Sequence, residues 1–256
     1  MPSQTPRPWA DGPWELIETP SKTKDVTSHP AIHIANIMAH THNAMLRGLN
    51  SIYHQAPHLT TSQDKSDFLF FIRAWATWVS HHHDLEEKTM FPGYERVLGV
   101  EGFLQGNIDQ HRAFESVLRD LLEYSEKTKP GEFREEDVRG LVERLAPAFR
   151  EHLSGEIETL LAMQRHAEDG AKRKGLLDVY KAAEAEAGKQ DKHVVPPMVL
   201  GLRDVTFEGG NKWPEMPPLS EWFVHYIFAR RHAGSWRFLP CDTWGKPRAL
   251  AFGPAK

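Results

Sequence analysis

This chain of 256 residues has one cysteine, no long apolar run and no excess of charge of one sign. A single thiol, Cys241, cannot close an intramolecular disulfide or build a cysteine-rich metal site, and it reads as a free buried thiol. The most apolar stretch, FLFFIRAWATWV, is about a dozen residues long and contains Arg73, too short to span a bilayer and suited to a core helix. The net charge of −4 is spread over both signs, which gives neither a basic patch for nucleic acid nor an acidic tail. The N-terminus, MPSQTPRPWADGPWELIE, is polar and proline-rich and lacks the apolar centre of a secretory signal, so a cytoplasmic location is expected. There is no Gly-x-Gly-x-x-Gly loop, no P-loop and no Gly-x-Ser-x-Gly elbow, which argues against nucleotide and acyl chemistry.

Histidine is abundant instead, with 15 residues. Three of them are followed four positions later by a glutamate: His82/Glu86, His111/Glu115 and His152/Glu156. On an α-helix such a pair projects an imidazole and a carboxylate from one face, one turn apart, which is metal-ligand spacing. Composition alone produces roughly one such pair in a chain like this, so register has to discriminate. Apolar residues of a bundle helix recur in steps of four and three. Phe68, Ile72, Trp75 and Val79 form one stripe, whose next members are His82 and Glu86. Met38, Met45, Leu49 and Ile52 form another, whose missing member is His42. The stripe through Leu104, Ile108, Leu118 and Leu122 passes through His111 and Glu115, and the one through Val142, Leu145, Phe149 and Met163 passes through His152 and Glu156. Four helices thus bring ionisable groups to one seam. An unpaired buried carboxylate costs several kcal/mol, so a cation is expected to neutralise them. Four imidazoles and three carboxylates exceed a closed tetrahedral site, which suggests two cations. The competing pair His83/Glu87 has the same spacing but lies off the stripe. His81 and His83 sit about 100° to either side of His82, while Pro57 breaks the helix that would align His54 with His58. His33, His40, His166, His193, His225 and His232 read as surface or capping residues.

The run HHHDLEEKTMFP resembles the second-helix signature of the hemerythrin-like (HHE cation-binding) domain. AHTHNAMLRGLN resembles its first-helix motif, DQHRAF its third and EHLSGEIETLL its fourth, together covering roughly residues 30 to 168. The resemblance implies an all-α, up-down four-helix bundle around two iron ions joined by an oxo or hydroxo bridge, with zinc or manganese as substitutes. The implied ligands are His42, His82, Glu86, His111, His152 and Glu156, with Glu86 and Glu156 bridging. Position 115 departs from the oxygen carriers, which have a second histidine there. Glu115 would either ligate the metal or accept an imidazole N–H, and a carboxylate donor favours oxygen or peroxide chemistry over reversible carriage.

The chain divides into an extended arm at 1–29, the bundle at 30–168, an accessory helix at 169–188 and a mostly irregular wrap at 189–256. Helices are expected from Pro30, capped by Ser28 or Thr27, to about Tyr53; from Ser62 or Asp64 to an interruption at Phe91-Pro92-Gly93; over 101–127; over 133–168; and, within the wrap, over 219–232. Trp213, Trp222, Phe223, Trp236, Phe238 and Trp244 carry too much apolar surface for that wrap to stay solvated. Three functions fit: a diiron protein binding dioxygen, peroxide or nitric oxide for sensing, scavenging or iron handling; a diiron oxidoreductase acting on a small organic substrate; or a bundle clamped by a structural metal. Trp75, Trp78 and Phe114 are expected to shape the oxidant pocket. No nucleic-acid or membrane partner is expected.

Overall fold

The computed structural model describes residues 9–253; the first eight residues of the expected arm and the last three of the wrap lie outside it. The elements are helical, with no strand among the described residues. Eight α-helices are α1 Pro30–Gln55, α2 Ser62–Leu85, α3 Phe91–Leu98, α4 Gln105–Lys127, α5 Glu135–Ala162, α6 Gly170–Ala187, α7 Val195–Leu202 and α8 Ser220–Tyr226.

Local contacts set several of the boundaries. Helix α1 is capped by His29 rather than by Ser28 or Thr27, because both of those hydroxyls are engaged with Asp25. His29 Nδ1 accepts from the Ala31 N–H at 3.1 Å while Nε2 donates to the Ala167 carbonyl at 3.0 Å, tying the start of α1 to the connection that follows α5. Thr61 accepts from the Asp64 N–H at 3.0 Å and sets the start of α2 at Ser62. Helix α4 begins at Gln105, later than expected, since Gly102 turns the chain at φ 71° and the Glu95 carboxylate accepts the Leu104 N–H at 2.9 Å.

The expected break at Phe91-Pro92-Gly93 does not occur. Instead α2 runs through a π-helical turn, Glu86–Met90, into α3, with the Phe91 N–H bonded to the Glu86 carbonyl five residues back. A proline ring in regular α geometry collides with the carbonyl four residues earlier, and the widened turn removes that conflict.

In the bundle α1 packs on α5, α5 on α4 and α4 on α2, whereas α1 and α2 meet over a short length only. The room between these two is taken by α6, α7 and the C-terminal segment. Their close approach is at Gly48, where any Cβ would lie 2.3 Å from the Trp75 ring; the Trp75 indole donates to the Met45 carbonyl at 3.1 Å. The wrap is less irregular than expected: Pro196 and Pro197 open α7 rather than break a helix, being tolerated in a first turn. The helix expected over 219–232 stops at Tyr226. Met198, Leu202, Trp213, Trp236, Phe238 and Leu239 join the bundle side chains in one continuous apolar core.

The N-terminal arm is stapled to α1 by three asparagines spaced seven apart. Asn36 accepts from the Ser21 N–H, Asn43 exchanges two bonds with the Ile17 backbone at 2.7 and 2.8 Å, and Asn50 bonds both Trp14 backbone groups and the Ala10 carbonyl. Seven residues make nearly two helical turns, so all three amides stand in one row. No helix among the described residues is long and apolar enough to cross a membrane.

Candidate metal centre

The apolar stripes point inward: Met45, Leu49, Ile52, Phe68, Ile72, Trp75, Val79, Phe149 and Leu145 are all fully buried. The same faces bring His42, Glu86, His152 and Glu156 into the interior with no exposure, together with His111 at 3%. His82 joins them and keeps 14% of its side chain exposed. Two overlapping groups result, His42–His82–Glu86 and His83–Glu86–His111–His152, each with its candidate donor atoms within 4.8 Å of one another. Glu86 belongs to both, and it stands at the first position of the π turn. Glu156 Oε2 lies 3.3 Å from His42 Nε2 and 3.8 Å from His152 Nε2.

Hydrogen bonding at the outer edge of the imidazoles fixes what they present inward. His42 Nδ1 donates to the Leu153 carbonyl at 2.8 Å, and His111 Nδ1 donates to Glu87 Oε1 at 2.7 Å. His152 Nδ1 faces the Gln110 side-chain oxygen at 3.4 Å. An imidazole whose Nδ1 carries the proton turns a bare lone pair inward at Nε2. His111 Nε2 and His152 Nε2 are 3.1 Å apart, and His42 Nε2 faces a carboxylate oxygen, so lone pair meets lone pair. Buried atoms without a hydrogen-bond partner concentrate here: Nε2 of His42, His82 and His83, and both carboxylate oxygens of Glu86 and of Glu156. Leaving such groups unsatisfied is costly, and cations held by the two donor groups would satisfy them.

Electrostatics follow the same geometry. Burial pushes His82 down to about 4, and burial with the neighbouring imidazoles holds His83 and His152 well below the usual histidine range. These rings are therefore neutral donors. Burial and the adjacent Glu156 raise Glu86 well above the usual carboxylate range, because two neighbouring buried carboxylates resist joint ionisation. Neutral imidazoles and two crowded carboxylates form a nitrogen and oxygen donor set suited to borderline divalent metals and to iron.

Glu115 stands apart from this set. Its side chain is 66% exposed and faces Arg119 at 3.7 Å, so the expectation that it ligates or supports an imidazole is corrected. A residue four positions on is turned about 40° further around the helix. Here that carries position 115 out to solvent, while Phe114 and Leu118 occupy the inner face. The discounted pair at 83 and 87 takes its place. His83 is buried against His111, His152 and Phe114, and Glu87 orients His111. A stripe treated as a line excluded His83, yet a bundle interior is wide enough to admit two histidines 100° apart, and the HHH run was the available signal. Tyr94, which no spacing or motif singles out, also stands near the cluster. It is fully buried, its hydroxyl is unpartnered, and burial with the nearby Glu156 charge raises it well above the ordinary phenol range.

Among the other histidines, His40 is buried and stacks on Trp213 rather than lying at the surface. Trp75 lies in the core against Phe149, one layer from the cluster, and Phe114 packs directly on His83, His111 and His152. Two cavities reach the cluster. One of about 280 Å³ is lined by His83, Glu87, His111, Phe114 and Glu115; another of about 200 Å³ is lined by His82 and Trp78 among others.

Residues 33–163 match the hemerythrin HHE cation-binding domain. Over 260 aligned residues the chain is 35% identical to dimeric xanthone biosynthesis cluster protein R11 of Cryptosporiopsis sp. (strain 8999), covering 99% of this chain and 97% of that protein. No solved structure matches. The matched segment holds every residue of the buried histidine and glutamate cluster, and the chain belongs to the hemerythrin HHE cation-binding family.

Proposed function

We propose that this chain is a non-haem diiron protein whose centre binds a small oxidant, dioxygen or peroxide, and uses it to oxidise a small organic substrate. The observation that carries the metal reading is the facing of bare imidazole and carboxylate donors in two groups that share Glu86. His42 and His82 would help to hold one iron and His83, His111 and His152 the other, with Glu86 and Glu156 available to both. Iron bound in this way supplies a redox-active centre at which a small oxidant can be reduced. The chain's own residues do the rest. Leu153, Glu87 and Gln110 hold three imidazoles in the tautomer that presents Nε2. Phe114, Phe149 and Phe91 pack against the rings and keep bulk water out.

Turnover, rather than binding alone, is favoured by the name of the relative, a protein of a biosynthesis cluster, and by a cavity that abuts His82. Iron-loaded protein is expected to contain two irons per chain and, when oxidised, near-ultraviolet charge-transfer absorption that is absent from the apoprotein. One zinc per chain with no such absorption would overturn the proposal. A spectrum that cycles reversibly between oxygen and argon would retain the diiron reading and remove turnover.

A further inference from the structure

Where α1 and α2 diverge, α6, α7 and the Trp213-Pro214 corner close over a cavity of about 200 Å³. An apolar cavity of about 150 Å³ is large enough for benzene, so this one admits one or two rings. Apolar side chains make most of its wall, and Met38, Trp78, Met90, Tyr180 and Trp213 add aromatic rings and thioethers to the aliphatic groups. His82 forms the end nearest the cluster, and it is the most exposed member of the two groups, with 14% of its side chain accessible.

Two oxygen acceptors stand on the wall. Thr41 spends its hydroxyl proton on the Ile37 carbonyl at 3.1 Å, leaving its oxygen to accept. Tyr180 spends its own on Glu184 at 3.2 Å, and Glu184 is itself a carboxylate. No lysine or arginine lines the cavity. A carboxylate or phosphate ligand would therefore meet Glu184 with no cation to offset it, whereas a neutral hydroxyl would find oxygen acceptors in Thr41 and Glu184.

We infer that this cavity binds a neutral aromatic molecule of one or two rings bearing a phenolic hydroxyl, and holds it against His82. The inference rests on the reading of the centre as one that oxidises an organic substrate, and it names the class of that substrate.

The test is calorimetric titration of the iron-loaded full chain with 2-naphthol, with naphthalene, cyclohexanol and 2-naphthoate as comparators. Saturable binding of one 2-naphthol per chain is expected, with the other three at least threefold weaker. Ala187→Phe, at the partly exposed end of the cavity, should weaken 2-naphthol at least tenfold while iron content and melting temperature stay unchanged. Thr41→Val should weaken 2-naphthol but not naphthalene. In the bound state the iron should broaden the proton resonances of 2-naphthol, and the zinc-loaded protein should not. Absence of saturable binding, an unchanged affinity in folded Ala187→Phe, an equal effect of Thr41→Val on both ligands, or 2-naphthoate binding as tightly as 2-naphthol would each overturn the inference. Retained iron with no 2-naphthol binding removes the cavity assignment alone. Failure to bind iron with 2-naphthol binding intact removes the diiron reading alone.

Discussion

Two residues four positions apart on one helix, His111 and Glu115, end in opposite environments, one at 4% and the other at 66% side-chain exposure. Replacing Glu115 by alanine or histidine is therefore expected to leave metal stoichiometry and spectrum unchanged, as measured by metal analysis and absorption. Glu87→Gln should act differently. It weakens the acceptor that orients His111, and loss of such a contact typically lowers metal affinity 10- to 100-fold, readable by competition with a chelator. Cys241 supplies a second check. Burial pushes its thiol up to about 12, so it stays protonated and enclosed. A disulfide reagent at pH 8 should modify it only after denaturation, and rapid modification of folded protein would contradict its placement. A buried thiol with a raised value adds stability below about pH 9 that fades as pH rises further, since the unfolded thiol ionises first. At this scale the sequence reading reached His42, His82, Glu86, His111, His152 and Glu156 through periodicity. It did not reach His83, because periodicity ranks faces of a helix and says nothing of how wide the facing cavity is.

The longer helices are legible as elements because each carries a long apolar stripe, but three local details are not announced by that stripe. His29 caps α1 while reaching the connection that follows α5, the π turn accommodates Pro92, and Pro196 with Pro197 starts a helix in a segment that reads as loop. The asparagine row on α1 is a fourth, since nothing in the arm's own sequence announces its partner. Asn43 is buried, and its amide satisfies both an N–H and a C=O of Ile17. Asn43→Ala should lower unfolding free energy by about 1–3 kcal/mol, the usual consequence of stranding buried backbone groups. Denaturant titration gives the magnitude, and proteolysis at residues 9–20 should become faster in the variant. Unchanged stability would mean that the arm gains little from these bonds.

For the whole molecule, the C-terminal third is part of the core rather than an appendage. Ser51 donates to the Phe238 carbonyl, Gln55 does so at 2.8 Å, and Arg237 pairs with Asp64 and Asp67 at 2.8 and 2.9 Å. Deleting 189–256 should abolish cooperative folding instead of yielding a soluble bundle with iron, and a melting curve settles this. Acid should loosen the same contact. The Thr61 hydroxyl, with further help from Arg237, holds Asp64 below its ordinary value of 3.8, so its contribution is present above about pH 4 and lost as pH falls through the lowered value. Melting temperature should therefore fall between pH 5 and 3 more steeply in the native chain than in Asp64→Asn. Ferrous iron added anaerobically should raise the melting temperature in a concentration-dependent way, and a chelator should reverse it, as for any ligand that binds only the folded state. The incomplete meeting of α1 and α2 has one more consequence. The side chains that crowd around Glu86 come from four helices before residue 163, whereas much of the cover between those two helices is drawn from α6, α7 and Trp213. If the centre acts as proposed, inherited change in that later stretch would remodel the cavity beside His82 without touching a single inward-facing histidine, leaving descendants free to diverge in diet while sharing one chemistry.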